Sequence, residues 1–164
     1  NSKLLKLWVF CGNLQVVLTL GIRMKNLFSK IAFLFISLLF LSNTLNASEH
    51  KVVIQVSTDD TRTQLLALNN ASNLQKVYGM DNVIVEIVAY GPGLGILTEQ
   101  SFHSARVKDL ALQDIKFSAC GNTISHIKEK TGVDPILTKG VTIVQAGVGR
   151  IVELQEQGYS YIRP

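Results

Sequence analysis

From residue 51 onward, short apolar runs rich in β-branched residues alternate with longer stretches whose apolar positions recur every three or four residues. The first run, "KVVIQVS" (51 to 57), reads as a buried strand, and the polar "TDDTRT" after it supplies a helix cap. Residues 61 to 78 follow with helical spacing, Leu65, Leu68, Ala71 or Ser72, and Leu74 or Gln75 falling on successive turns, and Gly79 marks the stop. "NVIVEIVAYG" (82 to 91) is a second strand closed by "GPGLG", and 96 to 112 carries a weaker helical pattern. "IKFSAC" (115 to 120) is a third strand, leading into a short helix over 122 to 131 that ends before Gly132. "GVTIVQA" (140 to 146) is a fourth strand, with a helix from about 147 to Gly158. "YSYIRP" closes the chain as a fifth strand, Tyr159 and Tyr161 on one face, Ser160 and Ile162 on the other, and its role is structural.

Strands alternating with helices predict an α/β class: one domain with an about five-stranded, parallel or mostly parallel sheet and helices on both faces. No internal repeat, low-complexity tract or linker interrupts it. The stretch before residue 48 differs in kind. From Met24 the chain reads "MKNLFSKIAFLFISLLFLSNTLNAS", two lysines, an apolar run from Ile31 to Leu41, a polar stretch and then the small residue Ala47. That is the layout of a signal peptide over 24 to 47, cleaved after Ala47. The apolar run is short of the roughly 20 residues a bilayer-spanning helix needs, so no stable membrane insertion is expected after cleavage. Residues 1 to 23 precede a better start at Met24 and read as a mis-annotated upstream extension, or else as a second apolar segment of an anchor. The expected product, 48 to 164, is an exported, periplasmic domain.

Charge changes meaning once this leader is set apart. The full chain of 164 residues has 16 basic and 12 acidic side chains, but Lys3, Lys6, Arg23, Lys25 and Lys30 all precede residue 48 and no acid does. The remainder is close to neutral, so the basic balance of the whole chain is no argument for nucleic-acid binding. Cysteine usage sharpens likewise: Cys11 lies in the upstream segment, and only Cys120 belongs to the domain. A single thiol in an oxidising compartment has no internal disulfide partner.

Ligands of open α/β sheets gather outside the carboxyl ends of the strands, and three segments fall there. In "YGPGLG" (90 to 95), Gly91 and Gly93 let backbone amides approach a ligand or a neighbouring subunit, or simply make a tight turn. The dinucleotide fingerprint fails because its last glycine position, counted from Gly91, is Ile96, and there is no phosphate-gripping lysine followed by Ser or Thr. Cys120 ends the third strand just before a helix N-terminus, where free amides and the helix dipole favour a thiolate; Gly121 permits the turn, and Asn122 or Thr123 can cap the helix. A cysteine is also a small hydrophobe at home in a core. In "AGVGR", Arg150 stands in the first turn of the last helix, where it orients an anionic sulfur donor, pairs with Glu153 or Glu156, or is solvated. His103 and His126 are far from Cys120 in sequence and read as surface histidines. No CxxC pair, no His/Cys/Asp cluster with metal-ligand spacing, no paired carboxylates suited to hydrolysis and no cofactor motif is present. A lone accessible thiolate can still take up and pass on a sulfur atom.

The set "FSACGNT", "YGPGL" and "RIVELQEQGYSYIRP" resembles the DsrE/DsrF-like family of small sulfur-relay proteins, in particular its exported branch, over essentially all of 51 to 164. The resemblance implies a compact parallel-sheet unit assembled as a trimer or hexamer. It also implies a sulfurtransferase-type carrier role, with Cys120 holding persulfide sulfur and exchanging it with donor and acceptor proteins or small sulfur compounds. Gly91, Gly93, Gly121, Asn122, Thr123 and Arg150 are the expected pocket residues. Two other readings remain from the residues themselves: a non-enzymatic binding or assembly module with a buried cysteine, and a redox sensor forming intermolecular disulfides.

Overall fold

The run of β-branched residues at 52 to 56 forms β1 (His50–Val56), and its central residues Val53 and Ile54 are fully buried, one on each face of the sheet. A strand apolar on both faces belongs in the middle of a parallel sheet with cover on either side. The structure, a computed structural model describing residues 50–164, shows that sheet: β1, β2 (Val83–Ala89), β3 (Lys116–Cys120), β4 (Val141–Val144) and β5 (Ser160–Ile162), all parallel, in the order β4-β3-β2-β1-β5. The leader over 24 to 47, the segment 1 to 23 and Cys11 lie outside the described residues.

Four helices connect the strands: α1 (Thr61–Tyr78), α2 (Ser104–Ala111), α3 (Gly121–Thr131) and α4 (Gly147–Glu156). Strands β1 to β4 are laid down side by side in one direction, so right-handed crossovers put α1, α2 and α3 on one face. The larger core lies there: Ile54, Leu68, Ile87, Phe117 and the loop residues Leu94, Ile96 and Leu97 among it, with Ile124 and Ile127 of α3 packed alongside. From β4 the chain must return across the sheet to the far side of β1, and the same handedness sends α4 over the opposite face. There Ile151 and Leu154 pack with Val53, Val88 and Tyr159 in a smaller second core.

Local chemistry sets the helix ends. The Asp60 carboxylate caps α1, accepting from the Thr63 N–H at 2.8 Å and the Thr63 hydroxyl at 2.7 Å. Gly79 ends it at φ 86°, its N–H donating to Gln75 O, and Gly132 ends α3 in the left-handed region at φ 80°. The buried stripe of α1 is Gln64, Ala67, Leu68, Ala71 and Gln75, and Leu65, the first of the positions with helical spacing, is 40% exposed. Two glutamines occupy that face because each amide finds a carbonyl, Gln64 that of Thr58 and Gln75 that of Gln113.

The expected helix over 96 to 112 is corrected. Gly91–Leu97 winds as a 3-10 helix, Thr98 is extended, and α2 begins only at Ser104. Backbone groups in this stretch bond to the 136 to 138 segment: Glu99 N–H donates to Ile136 O at 2.9 Å and Thr138 N–H to Leu97 O at 2.8 Å. Those partners lie some 40 positions on and leave no trace in the local spacing. His103, expected on the surface, is also corrected: it is 5% exposed, its Nε2 3.3 Å from Thr61 O, because the early start of α1 passes over it.

At the C-terminus β5 pairs with β1, Tyr159 is buried against α4, and the Tyr161 hydroxyl donates to Gln55 Oε1. Deleting residues 159 to 164 opens the edge of β1 at Val52, Val53 and Ile54 and uncovers the second core, so the truncated chain is expected to lose its cooperative thermal transition or its solubility. A truncation that melts as sharply as the full domain would refute that role.

Candidate functional site

The chirality that sends α3 and α4 to opposite faces opens the sheet between the carboxyl ends of β3 and β4. Such a switch point is where ligands of open α/β sheets lie. Cys120 is the last residue of β3, paired with Val144, the last of β4. It is also the N-cap of α3, with extended backbone (φ −71°, ψ 117°), so the first amides of α3 point toward its side chain.

Gly121 lets the two strand ends come this close. A Cβ built there would stand 3.1 Å from Val144 O and 3.3 Å from Gln145 O, and the next amide, Asn122 N–H, donates to Gln145 O at 3.2 Å. Gly147 does the same for α4: a Cβ would meet Tyr90 Cβ at 3.0 Å and Cys120 Cβ at 3.3 Å. A side chain there would crowd Tyr90 and Cys120, so glycine lets the α4 N-terminus lie against the cysteine. A cavity of about 270 Å³ between the end of β4 and α4 is lined by Val144, Gln145, Ala146, Gly149, Arg150 and Glu153, and Cys120 is not among its lining residues.

The groups around the sulfur favour its anion. Burial, with Cys120 only 5% exposed, pushes the thiol pKa up. The Thr123 hydroxyl and the backbone N–H groups of Gly147, Thr123 and Asn122 outweigh it and leave the pKa below the ordinary thiol value. Thr123 is oriented for this role, since its Oγ1 accepts from Gly91 N–H at 2.9 Å and its single proton is then free to face the sulfur. The "GPGLG" turn thus reaches the cysteine through Gly91, which sits at φ 54°.

The other expected residues are placed as follows. Gly93 packs against the end of β1, where a Cβ would stand 2.3 Å from Val56 O. Arg150 forms a two-point ion pair with Glu86, Nε to Oε1 at 2.8 Å and Nη2 to Oε2 at 2.9 Å, and reaches Glu153 at 3.3 Å. Its guanidinium is therefore engaged by a carboxylate, and its pKa is raised by that contact. Glu86, which sequence reasoning passed over, is 1% exposed in the middle of β2 and also accepts from the Ser118 hydroxyl at 2.7 Å. Burial opposes its ionisation, but the hydrogen bonds from Arg150 and Ser118, with the charges of Arg150 and Lys116, hold its pKa below the ordinary carboxylate value. The available signal was a single carboxylate inside the apolar run "VIVEIVA", which cannot stay charged there without a partner. Among the described residues no group of three His, Cys, Asp or Glu side chains is placed to hold a metal ion.

No family model and no curated protein matches the chain. Solved structures do. A protein of unknown function, MTH1491 from Methanobacterium thermoautotrophicum, superposes with a TM-score of 0.64 at 37% identity, over 71% of this chain and 100% of that one. The ychN protein from E. coli superposes with a TM-score of 0.55 over 71% of this chain and 99% of that one, and at 11% identity it shares the fold alone. With a DsrE/F-like α/β fold and more than a third of its aligned residues in common with the archaeal protein over that protein's whole length, this chain belongs to the family of MTH1491.

Proposed function

We propose that this protein is a carrier of sulfane sulfur, held as a persulfide on Cys120. The observation that carries the reading is the place of Cys120 at a strand switch point, N-capping α3 with the Gly147 turn of α4 packed against it, a setting that lowers its pKa. In the loading step the Cys120 thiolate attacks the terminal sulfur of a polysulfide or of a donor persulfide. One S–S bond forms on Cys120, the donor's S–S bond breaks, and its electron pair leaves with the donor as thiolate. Unloading repeats the exchange with an acceptor thiolate and returns Cys120 as the leaving thiolate. No external oxidant or reductant enters either step. The amides stabilise the anion on Cys120 both as attacking and as leaving group. The apolar run 31 to 41 and the resemblance to exported sulfur-relay proteins support a periplasmic homo-oligomer that meets its donor and acceptor there.

One observation favours a rival. Cys120 is 5% exposed, as a core cysteine would be. Intact mass separates the two: the folded protein, purified without reductant and treated with polysulfide, is expected to gain mass in steps of one sulfur, reversibly with reductant and not in Cys120→Ser. An unchanged mass in the folded wild type, with labelling only after denaturation, would make Cys120 a packing residue.

A further inference from the structure

We propose that the Glu86–Arg150 ion pair is a positioning device for the Cys120 sulfur, acting through the first turn of α4. Gly147, whose amide reaches the sulfur, has no side chain with which to fix itself. Three residues on, in the same helical turn, Arg150 donates its N–H to Ala146 O at 2.9 Å and extends its guanidinium to the Glu86 carboxylate. That carboxylate is itself immobile: it is buried in the central strand β2 and held by Ser118 of β3, two residues before Cys120 and on the same face of the sheet. The turn bearing the Gly147 amide is thus clamped to β3, which carries the cysteine, and to its neighbour β2. A planar two-point contact suits this task better than a point charge, because it fixes orientation as well as distance.

The pair could instead join helix to sheet with no consequence for the thiol, or act on it through space. Direction separates these cases. The titratable and charged groups on the elements packed around Cys120 are Tyr90 after β2, Glu86 in β2, Lys116 in β3, the exposed His126, Lys128, Glu129 and Lys130 of α3, and Arg150, Glu153 and Glu156 in α4. Removing the Glu86 charge alone leaves a net positive neighbourhood, which through space favours thiolate. Loosening the Gly147 amide disfavours it.

The test is the pH dependence of iodoacetamide alkylation of Cys120 in the folded full domain, for wild type, Glu86→Gln and Arg150→Lys. Clamping predicts a midpoint moved up in both variants and alkylation about tenfold slower at pH below it, the size of one lost charge-assisted hydrogen bond. Arg150→Lys keeps the charge and loses only the fork, so it reads geometry alone and stands in should Glu86→Gln fail to fold. A midpoint that stays or falls in Arg150→Lys overturns the proposal. The inference rests on Cys120 being a reactive thiol, whatever its cargo. A wild type that does not alkylate until unfolded sinks that premise, whereas a reactive wild type with unmoved variants sinks only the clamp.

Discussion

Gly93→Ala is expected to be the most damaging single-methyl change in the domain. The new Cβ would stand 2.3 Å from Val56 O, 2.6 Å from Val56 C and 2.8 Å from Ser57 N. Optimal carbon contacts lie at about 3.5 to 4.0 Å, so the methyl overlaps three backbone atoms at once. None can swing aside as a side chain would. Val56 is the last residue of β1, 2% exposed, and its carbonyl already accepts Tyr90 N–H at 3.1 Å. Relief requires the 3-10 segment Gly91–Leu97 to lift from the sheet, dragging the fully buried Leu94, Ile96 and Leu97 out of the main core. Overpacking of yielding side chains costs about 1 to 3 kcal/mol; against main chain the loss should exceed about 3 kcal/mol, a large share of a domain's total stability. Gly95→Ala is the control, because a Cβ there meets nothing within 4 Å, and it should change stability by no more than about 0.5 kcal/mol. Denaturant midpoints of both variants check this. A Gly93→Ala protein within about 1 kcal/mol of wild type would show that the turn and β1 are further apart than described.

What the sequence made legible is what depends on neighbours in the chain. The apolar runs around Val53, Ile87 and Phe117 mark strands because a short β-branched run is a local property, and Gly79, Gly132 and Gly158 stop helices through their own backbone freedom. Cys120 at the end of β3, ahead of a helix, followed from the same punctuation. The failures are all matters of long-range partnership. The stretch 98 to 103 bonds to residues near 137, and Glu86 is satisfied by an arginine 64 positions away. Gly147 was visible as part of a glycine turn. That its amide meets Cys120 depends on β3 and β4 sending their helices to opposite faces, which only the strand order reveals.

Arg150→Ala should be strongly destabilising at neutral pH, by about 3 to 5 kcal/mol, because it strands a carboxylate that is fully buried. Its pH dependence is the sharper expectation. In the wild type the Glu86 pKa is depressed, so its contribution to stability is present above the unfolded-state value, about 4.3, and is lost as pH falls through the lower folded value. Without Arg150 the balance inverts. Burial, the largest influence on Glu86, works against ionisation, and with the guanidinium gone it raises the folded pKa above the unfolded one. Stability is then fullest below the unfolded value and falls as pH rises through the raised folded value. Wild type and variant should therefore show slopes of opposite sign for this group, with the gap between them widening from acid to neutral pH. Replacing both partners, Glu86→Leu with Arg150→Met, removes the buried charge and leaves chiefly the Ser118 hydroxyl without its acceptor, so the double variant should recover to within about 1 to 3 kcal/mol of wild type. Urea titrations at several pH values read all three. Parallel pH curves for wild type and Arg150→Ala would mean that Glu86 reaches solvent or another cation, and that the ion pair closing the second face of the sheet is less decisive than its geometry indicates.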